Sequence, residues 1–356
     1  MAEKRIRLAR PDVGEVELRR VAGVLDDGML TMGPRVGELE DELARAVGTQ
    51  HAVAVSSGTA ALHLALLALG IGPGDEVLVP AYTFPATANV VALAGARPRL
   101  VDVDPATMNL DVERVASALT PHTRAVFAVH LFGRPLDWAN LSDAAPGVEV
   151  LEDAAGALGA EYRGKPCGGL GTLACFSFHP RKIVTTGEGG AVTTDEVELA
   201  DAVRRLRHHG IEPAGDFEIA QPGLNYRLSD ILCAVGIPQL QRLQTLLAER
   251  TRIADAYAER LRDVVRVPSA DTGDVHGWQA YVVQLDRRDE ALTALRAAGI
   301  EAQIGTYALH RLRAYADQGA FPGADAAFQR ALALPFHTQL TESELDRVAE
   351  VVRRYA

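Results

Sequence analysis

Of the 36 basic residues in this 356-residue chain, only Lys4, Lys165 and Lys182 are lysines; the other 33 are arginines. Arginine stays protonated and cannot form a Schiff base, whereas a desolvated lysine can lose its proton and attack a carbonyl carbon. In a chain that writes nearly every cation as arginine, each lysine needs a reason. Lys4 falls in a polar N-terminal tail and Lys165 in a turn, Tyr162-Arg163-Gly164-Lys165-Pro166, and surface solvation explains both. Lys182 instead follows an apolar run and precedes Gly187-Glu188-Gly189-Gly190, where glycines let backbone approach a ligand closely. The plainer alternative is a loop lysine that pairs with Glu188.

Three other stretches carry groups that such a lysine can use. In Ser56-Ser57-Gly58-Thr59-Ala60-Ala61, hydroxyls and small residues separate a strand-like run from a helix-like one. Free N–H groups at a helix N-terminus bind phosphate, although a plain Ser or Thr cap is the commoner use of such residues. Asp153 follows Val148-Glu149-Val150-Leu151-Glu152. A carboxylate there either binds a cationic ring nitrogen or caps a helix starting over 154–157, and taken alone the cap reading wins. Tyr82-Thr83-Phe84 offers an aromatic for stacking on a ring. Lys182, Asp153 and the cradle of Ser57, Gly58 and Thr59 are together a Schiff-base lysine, a pyridinium partner and a phosphate anchor. Those are three of the parts that a pyridoxal 5'-phosphate (PLP) site needs.

The elements that must position these residues alternate. Apolar runs at 51–56, 76–80, 99–103, 124–130 and 148–152 read as strands. Helical patterns at 58–69, 86–94 and 112–119 separate them, after a first helix over 39–47 that stops at Gly48. Such alternation means β-α-β units and a mostly parallel sheet covered on both faces, with ligands at the carboxyl ends of its strands. Two further strands, 173–179 and 190–194, flank the loop that holds Lys182. The run 223–230 reads as a turn and a helix start capped by Ser229. One long helix is expected over 238–261, leading into a second unit with a strand at 279–285, a helix at 290–298 and a closing helix over 342–355. Thr341 and Glu344 stand at capping-box spacing before that last helix. The expected division is a large domain, 1–237, and a smaller C-terminal α/β domain, 238–356.

Composition narrows the function. A net charge of −11 argues against a nucleic-acid partner, which needs a cationic face. Three separated cysteines, Cys167, Cys175 and Cys233, give no CxxC, and the ten histidines have no metal-site spacing, so no metal is expected. The charged N-terminus lacks a signal-peptide core, and the longest apolar stretch, 60–71, is too short for a membrane span. A soluble, cytoplasmic protein is the expectation. His130 and Phe132 follow the 124–130 strand at the edge of the site, and the charged run 249–262 reads as a solvated helix face.

At this point the chain resembles the DegT/DnrJ/EryC1/StrS family of PLP-dependent sugar aminotransferases, of PLP fold type I (aspartate aminotransferase-like). The matching runs come in order: LTMGPRVGELE (30–40), SSGTAALHLAL (56–66), PAYTFPATAN (80–89) and EDAAGALGA (152–160). FSFHPRKIVTTGEGGAVTT (176–194) is the most specific, and GLNYRLSD (223–230), YALH (307–310) and LALPFHTQLTESELD (332–346) complete the series. The resemblance implies that Lys182 is the Schiff-base lysine and that Asp153 holds the pyridine nitrogen protonated. It further implies that Phe84 stacks on the ring, and that Gly58, Thr59 and Ser177 hold the phosphate. Asn225 matches a residue that reaches the phosphate from a neighbouring subunit, which implies a homodimer with shared sites. Thr31, Tyr307 and His310 fall in motifs that approach the substrate. Where relatives usually carry Gln or His that can contact the phenolic oxygen of the cofactor, this chain has Gly156.

The implied reaction takes an amino group from glutamate or glutamine and gives it to a nucleotide-linked keto sugar. The alternatives are a keto-cyclitol (inosose) acceptor and a non-catalytic PLP-binding regulatory protein. Dehydratase relatives replace the lysine with His, so Lys182 argues against that chemistry.

Overall fold

The computed structural model describes residues 5–212 and 218–356. Lys4 lies outside the described residues. The strands are β1 (His51–Val55), β2 (Glu76–Pro80), β3 (Tyr82–Thr83), β4 (Arg97–Val101), β5 (Thr123–Val129), β6 (Glu149–Asp153), β7 (Glu161–Tyr162), β8 (Lys165–Pro166), β9 (Leu173–Ser177), β10 (Gly190–Thr194), β11 (Tyr281–Gln284), β12 (Gln303–Ile304), β13 (Tyr307–Ala308) and β14 (Ala331–Leu334). The helices are α1 (Glu15–Asp27), α2 (Pro34–Val47), α3 (Gly58–Ala68), α4 (Ala86–Leu93), α5 (Val115–Ala118), α6 (Trp138–Ala144), α7 (Val197–Arg207), α8 (Asp230–Gln241), α9 (Leu243–Leu261), α10 (Arg288–Ala297), α11 (Pro322–Arg330) and α12 (Glu342–Arg353).

Seven strands form the main sheet in the order β1-β10-β9-β6-β5-β2-β4. The pairs from β4 through β2, β5 and β6 to β9 are parallel, and β10 runs antiparallel between β9 and β1. The expected α/β class with a mostly parallel sheet is therefore the observed one. Strands such as Glu76–Pro80 are buried along their whole length, as a sheet covered on both faces requires. The carboxyl ends of β1, β2, β5, β6 and β9 share one edge, and Thr59, Phe84, His130, Asp153 and Ser177 all lie at it.

Local chemistry explains most of the element ends. Helix α2 starts at Pro34, five residues ahead of the expected start at 39, because proline is pre-organised for a first helical position. It stops at Gly48, whose left-handed φ of 78° suits glycine. Thr341 and Glu344 form the expected capping box on α12. Two expectations need correction. The helix expected over 238–261 is two helices, α8 and α9, broken at Arg242. The strand expected at 99–103 is Arg97–Val101, and Val103 pairs with Leu110 in the following turn.

The three-stranded sheet β11-β14-β12 carries a separate core with α9, α10 and α12 around it. Ile6 belongs to that core, with its N–H on Gly299 O at 3.0 Å and its carbonyl accepting from Glu301 N at 2.9 Å. The division expected between 237 and 238 falls inside α8.

Candidate active site

A cavity of about 410 Å³ lies at the carboxyl edge of the main sheet. Ser57, Gly58, Thr59, Phe84, Asp153, Ser177 and Lys182 all line it, so residues up to 125 positions apart in sequence meet in one place. Lys182 sits in the connection from β9 to β10. Ile183 and Val184 anchor that connection in the core beside it. The N–H of Thr185 donates to Gln239 Oε1 at 3.0 Å and the Gln239 amide returns a bond to Thr185 O at 2.7 Å, which ties the loop to α8. None of the ion pairs among the described residues involves Lys182, so the expected alternative, a lysine spent on Glu188, is not what forms. Burial pushes the lysine ammonium down to about 8; the Asp153 carboxylate opposes that shift and the Arg181 guanidinium adds to it. A lysine so placed is a nucleophile near neutral pH.

Asp153 ends β6 and is only 6% exposed. It accepts from Thr87 Oγ1 at 2.7 Å and from Ala155 N at 3.2 Å. No helix follows it: 154–157 is a turn closed by Ala157 N on Ala154 O at 2.9 Å. The cap reading therefore loses its helix, and the carboxylate keeps acceptor capacity toward the cavity.

Ser57 caps α3, its side chain accepting from Ala60 N at 3.1 Å. The N–H groups of Gly58 and Thr59, in the first turn, have no intrahelical acceptor. A Cβ on Gly58 would lie 2.8 Å from Ser177 Cβ, so only glycine lets the β1–α3 turn close against β9. Phe84 is 61% exposed, and its ring lies 6.4 Å from that of Tyr307. The pairing of β3 with β13 brings Tyr307 opposite Thr83.

Four sequence-predicted residues are not on the cavity wall: Tyr307, which lies beside Phe84, and three that are farther from it. Asn225 is exposed and bridges to His208. Thr31 is exposed and bridges to Ser229. His310 is committed elsewhere, with Nε2 3.0 Å from Asp325 Oδ1 and its ring 5.1 Å from that of Phe321.

His130 and Phe132 line the cavity. Leu136 N donates to His130 Nδ1 at 3.0 Å, which leaves Nε2 to donate to Glu152 at 2.9 Å. His130, Glu152 and Cys167 bring their ligand atoms within 4.8 Å of one another. Glu152 also accepts from Gly168, Leu170 and Gly171 N–H groups at 2.6–2.8 Å, so its lone pairs are spent within the fold and a cation finds no free carboxylate there. The residues that sequence reasoning missed are Thr87, Arg181 and Gln279. Thr87 lies one helical turn past Phe84, and that spacing was the available signal; Gln279 carries none.

These groups fit PLP. A carboxylate answers a pyridinium nitrogen, a desolvated lysine answers an aldehyde carbon, and free N–H groups at a helix N-terminus with two hydroxyls answer a phosphate. Thr83 Oγ1, also on the wall, is buried without a hydrogen-bond partner among the described residues.

The model of the DegT/DnrJ/EryC1/StrS aminotransferase family matches residues 11–353. Among solved structures, aminotransferase TlmJ from Streptoalloteichus hindustanus is 35% identical, with 98% of each chain covered and a TM-score of 0.94. Sugar aminotransferase CalS13 from Micromonospora echinospora is 33% identical, covering 98% of this chain and 99% of its own, with a TM-score of 0.92. Spr1654 from Streptococcus pneumoniae, in its PLP form, is 30% identical, covering 99% of this chain and 98% of its own, with a TM-score of 0.94.

Proposed function

The chain belongs to the DegT/DnrJ/EryC1/StrS aminotransferase family, and from that premise we propose that it moves an amino group from glutamate or glutamine to a nucleotide-linked keto sugar, giving an amino-deoxy sugar. It is a PLP-dependent aminotransferase. The observation that carries the proposal is the placement of an unpaired, desolvated Lys182 on one cavity with Asp153 and the N-terminus of α3.

Bound PLP supplies an electron sink, and the chain does the rest. Lys182 Nζ would hold the cofactor at rest and, once free, would take a proton from the substrate carbon as a base and give it back as an acid. Asp153 holds the proton on the ring nitrogen, and Thr87 orients Asp153. Gly58, Thr59 and Ser177 grip the phosphate, with Ser57 shaping the turn, and Phe84 covers a ring face. Tyr307, beside Phe84, meets the substrate. Arg181 is the one arginine on the cavity wall among the described residues, which supports an anionic acceptor such as a nucleoside diphosphate. CalS13, named a sugar aminotransferase, supports the sugar.

The active unit in this reading is a homodimer. Leu18, Leu25, Met29, Leu30 and Met32 leave apolar surface exposed on and after α1. Asn225 and Thr31 then serve the site through the assembled dimer, whereas His310 stays with Asp325 in its own chain. The two-unit division, with its join near 237–238, belongs to the same proposal, as does a cytoplasmic location. No helix among the described residues is long and apolar enough to cross a membrane.

Borohydride reduction of the yellow holoenzyme followed by peptide mapping tests the site. The label is expected on the peptide holding Lys182, and a label elsewhere overturns the assignment. A panel of nucleotide-linked keto sugars and inososes, each with glutamate and glutamine, then reads the substrate from product mass. Turnover of inososes alone overturns the sugar reading.

A further inference from the structure

Gln279 and Ala280 line the cavity, and the segment that carries them is closely packed. A Cβ on Gly133 would lie 2.9 Å from Trp278 N and 3.0 Å from Gly156 O, so three backbone segments meet there with no room for a side chain. Trp278 itself is held at a φ of 46°, a region that side chains disfavour. The Gln279 N–H donates to Phe132 O at 3.1 Å, and its carbonyl accepts from the buried Arg250 at 3.2 Å. The point from which the Gln279 side chain departs is thus fixed on both sides.

That side chain runs over Gly156. A Cβ built on Gly156 would lie 3.3, 3.4 and 3.5 Å from Gln279 Cγ, Cβ and Oε1. Gln279 therefore occupies the space that a side chain at 156 would take, and it faces the same cavity as Lys182 and Asp153. Its carboxamide is underused. Nε2 reaches Arg181 O only at 3.4 Å, long for an N–H···O bond, and Oε1 accepts none among the described residues. PLP presents four polar groups. Its aldehyde carbon, ring nitrogen and phosphate are answered by Lys182, Asp153 and the α3 N-terminus, which leaves the ring oxygen next to the aldehyde carbon.

We propose that Gln279 is a cofactor-contacting residue whose carboxamide donates a hydrogen bond to the PLP ring oxygen, the contact that Gly156 cannot make. The inference rests on the PLP reading above.

The test is a pH titration of the holoenzyme visible absorption band. A donor on the ring oxygen draws charge from it, so the neighbouring nitrogen holds its proton less tightly. Removing the donor raises the pKa of the band by about one unit. Gln279→Ala and Gln279→Met, the second keeping the side-chain length if the first fails to fold, are both expected to show that rise. Asp153, Arg181, His130, His179 and Glu188 face the same cavity and are unchanged in both, so the difference reports on residue 279. Adding Gly156→Gln to Gln279→Ala, at a backbone position outside the left-handed region, is expected to bring the pKa back toward that of the wild type. Variants that load PLP fully and titrate within about 0.2 unit of the wild type overturn the inference alone. A wild-type protein that develops no visible band with PLP overturns the cofactor reading instead.

Discussion

Glu152 and Asp153 are neighbours on β6, and the pleat sends their carboxylates to opposite faces of one sheet. Both are buried, at 0% and 6% exposed, so burial does not separate them. Glu152 takes four donors and is consumed in pinning the 168–171 loop and His130. Asp153 takes two and opens on the cavity. A carboxylate that serves the scaffold has its lone pairs filled, whereas one that serves a ligand has capacity left over. The lysines repeat the contrast: Lys165 is exposed in the β7–β8 hairpin, while Lys182 is desolvated and unpaired.

Substitutions at the two carboxylates separate these roles. Glu152→Ala leaves three backbone N–H groups and His130 without an acceptor, and is expected to lower the unfolding free energy in urea by about 4 kcal/mol. Asp153→Asn keeps the shape, so the urea midpoint should hardly move while amino transfer slows about a hundredfold. An exchange of those outcomes breaks the contrast.

The next effect is a pH dependence at Lys182. Capture of PLP by the apo-protein is expected to quicken about tenfold between pH 7 and 9, following the free amine of a lysine held at about 8. Stopped-flow absorbance checks it, and an inflection near the ordinary 10.5 is the contrary result. Between about 8 and 10.5 the unfolded apo-chain holds more protons at this site than the folded one, so its contribution to stability rises with pH across that window and is lost as pH falls through it. The smallest effect belongs to Thr87→Val, which removes the hydroxyl 2.7 Å from Asp153 and should slow transfer about fivefold, measured on the amino-donor half-reaction.

The strand and helix alternation around the main sheet was readable because each unit announces itself within about ten residues. The apolar runs end at or beside Ser56, Pro80, His130 and Asp153, and the site residues fall at those ends. What could not be read depends on partners far along the chain. The break at Arg242 comes with a side chain that reaches back to Asp12 and Glu17 on the N-terminal segment, which no local pattern reports. Arg250 lies in a run that reads as a solvated face, yet it is buried and donates to Trp278 O at 2.7 Å. The place of Gln279 depends on Gly156, far from it in sequence, which its side chain covers. His310 stands in a motif placed near the substrate, but in this chain its ring is turned to Asp325.

Ile6 packs in the core of the small sheet. During synthesis it emerges long before Gly299 and Glu301, the residues whose backbone it pairs with. The main sheet has all seven strands once residue 194 is made, whereas Ile6 waits for another hundred residues to leave the ribosome. A segment translated before the main sheet is thus among the last to dock, and its arrival ties Ile6 to Gly299 and Glu301.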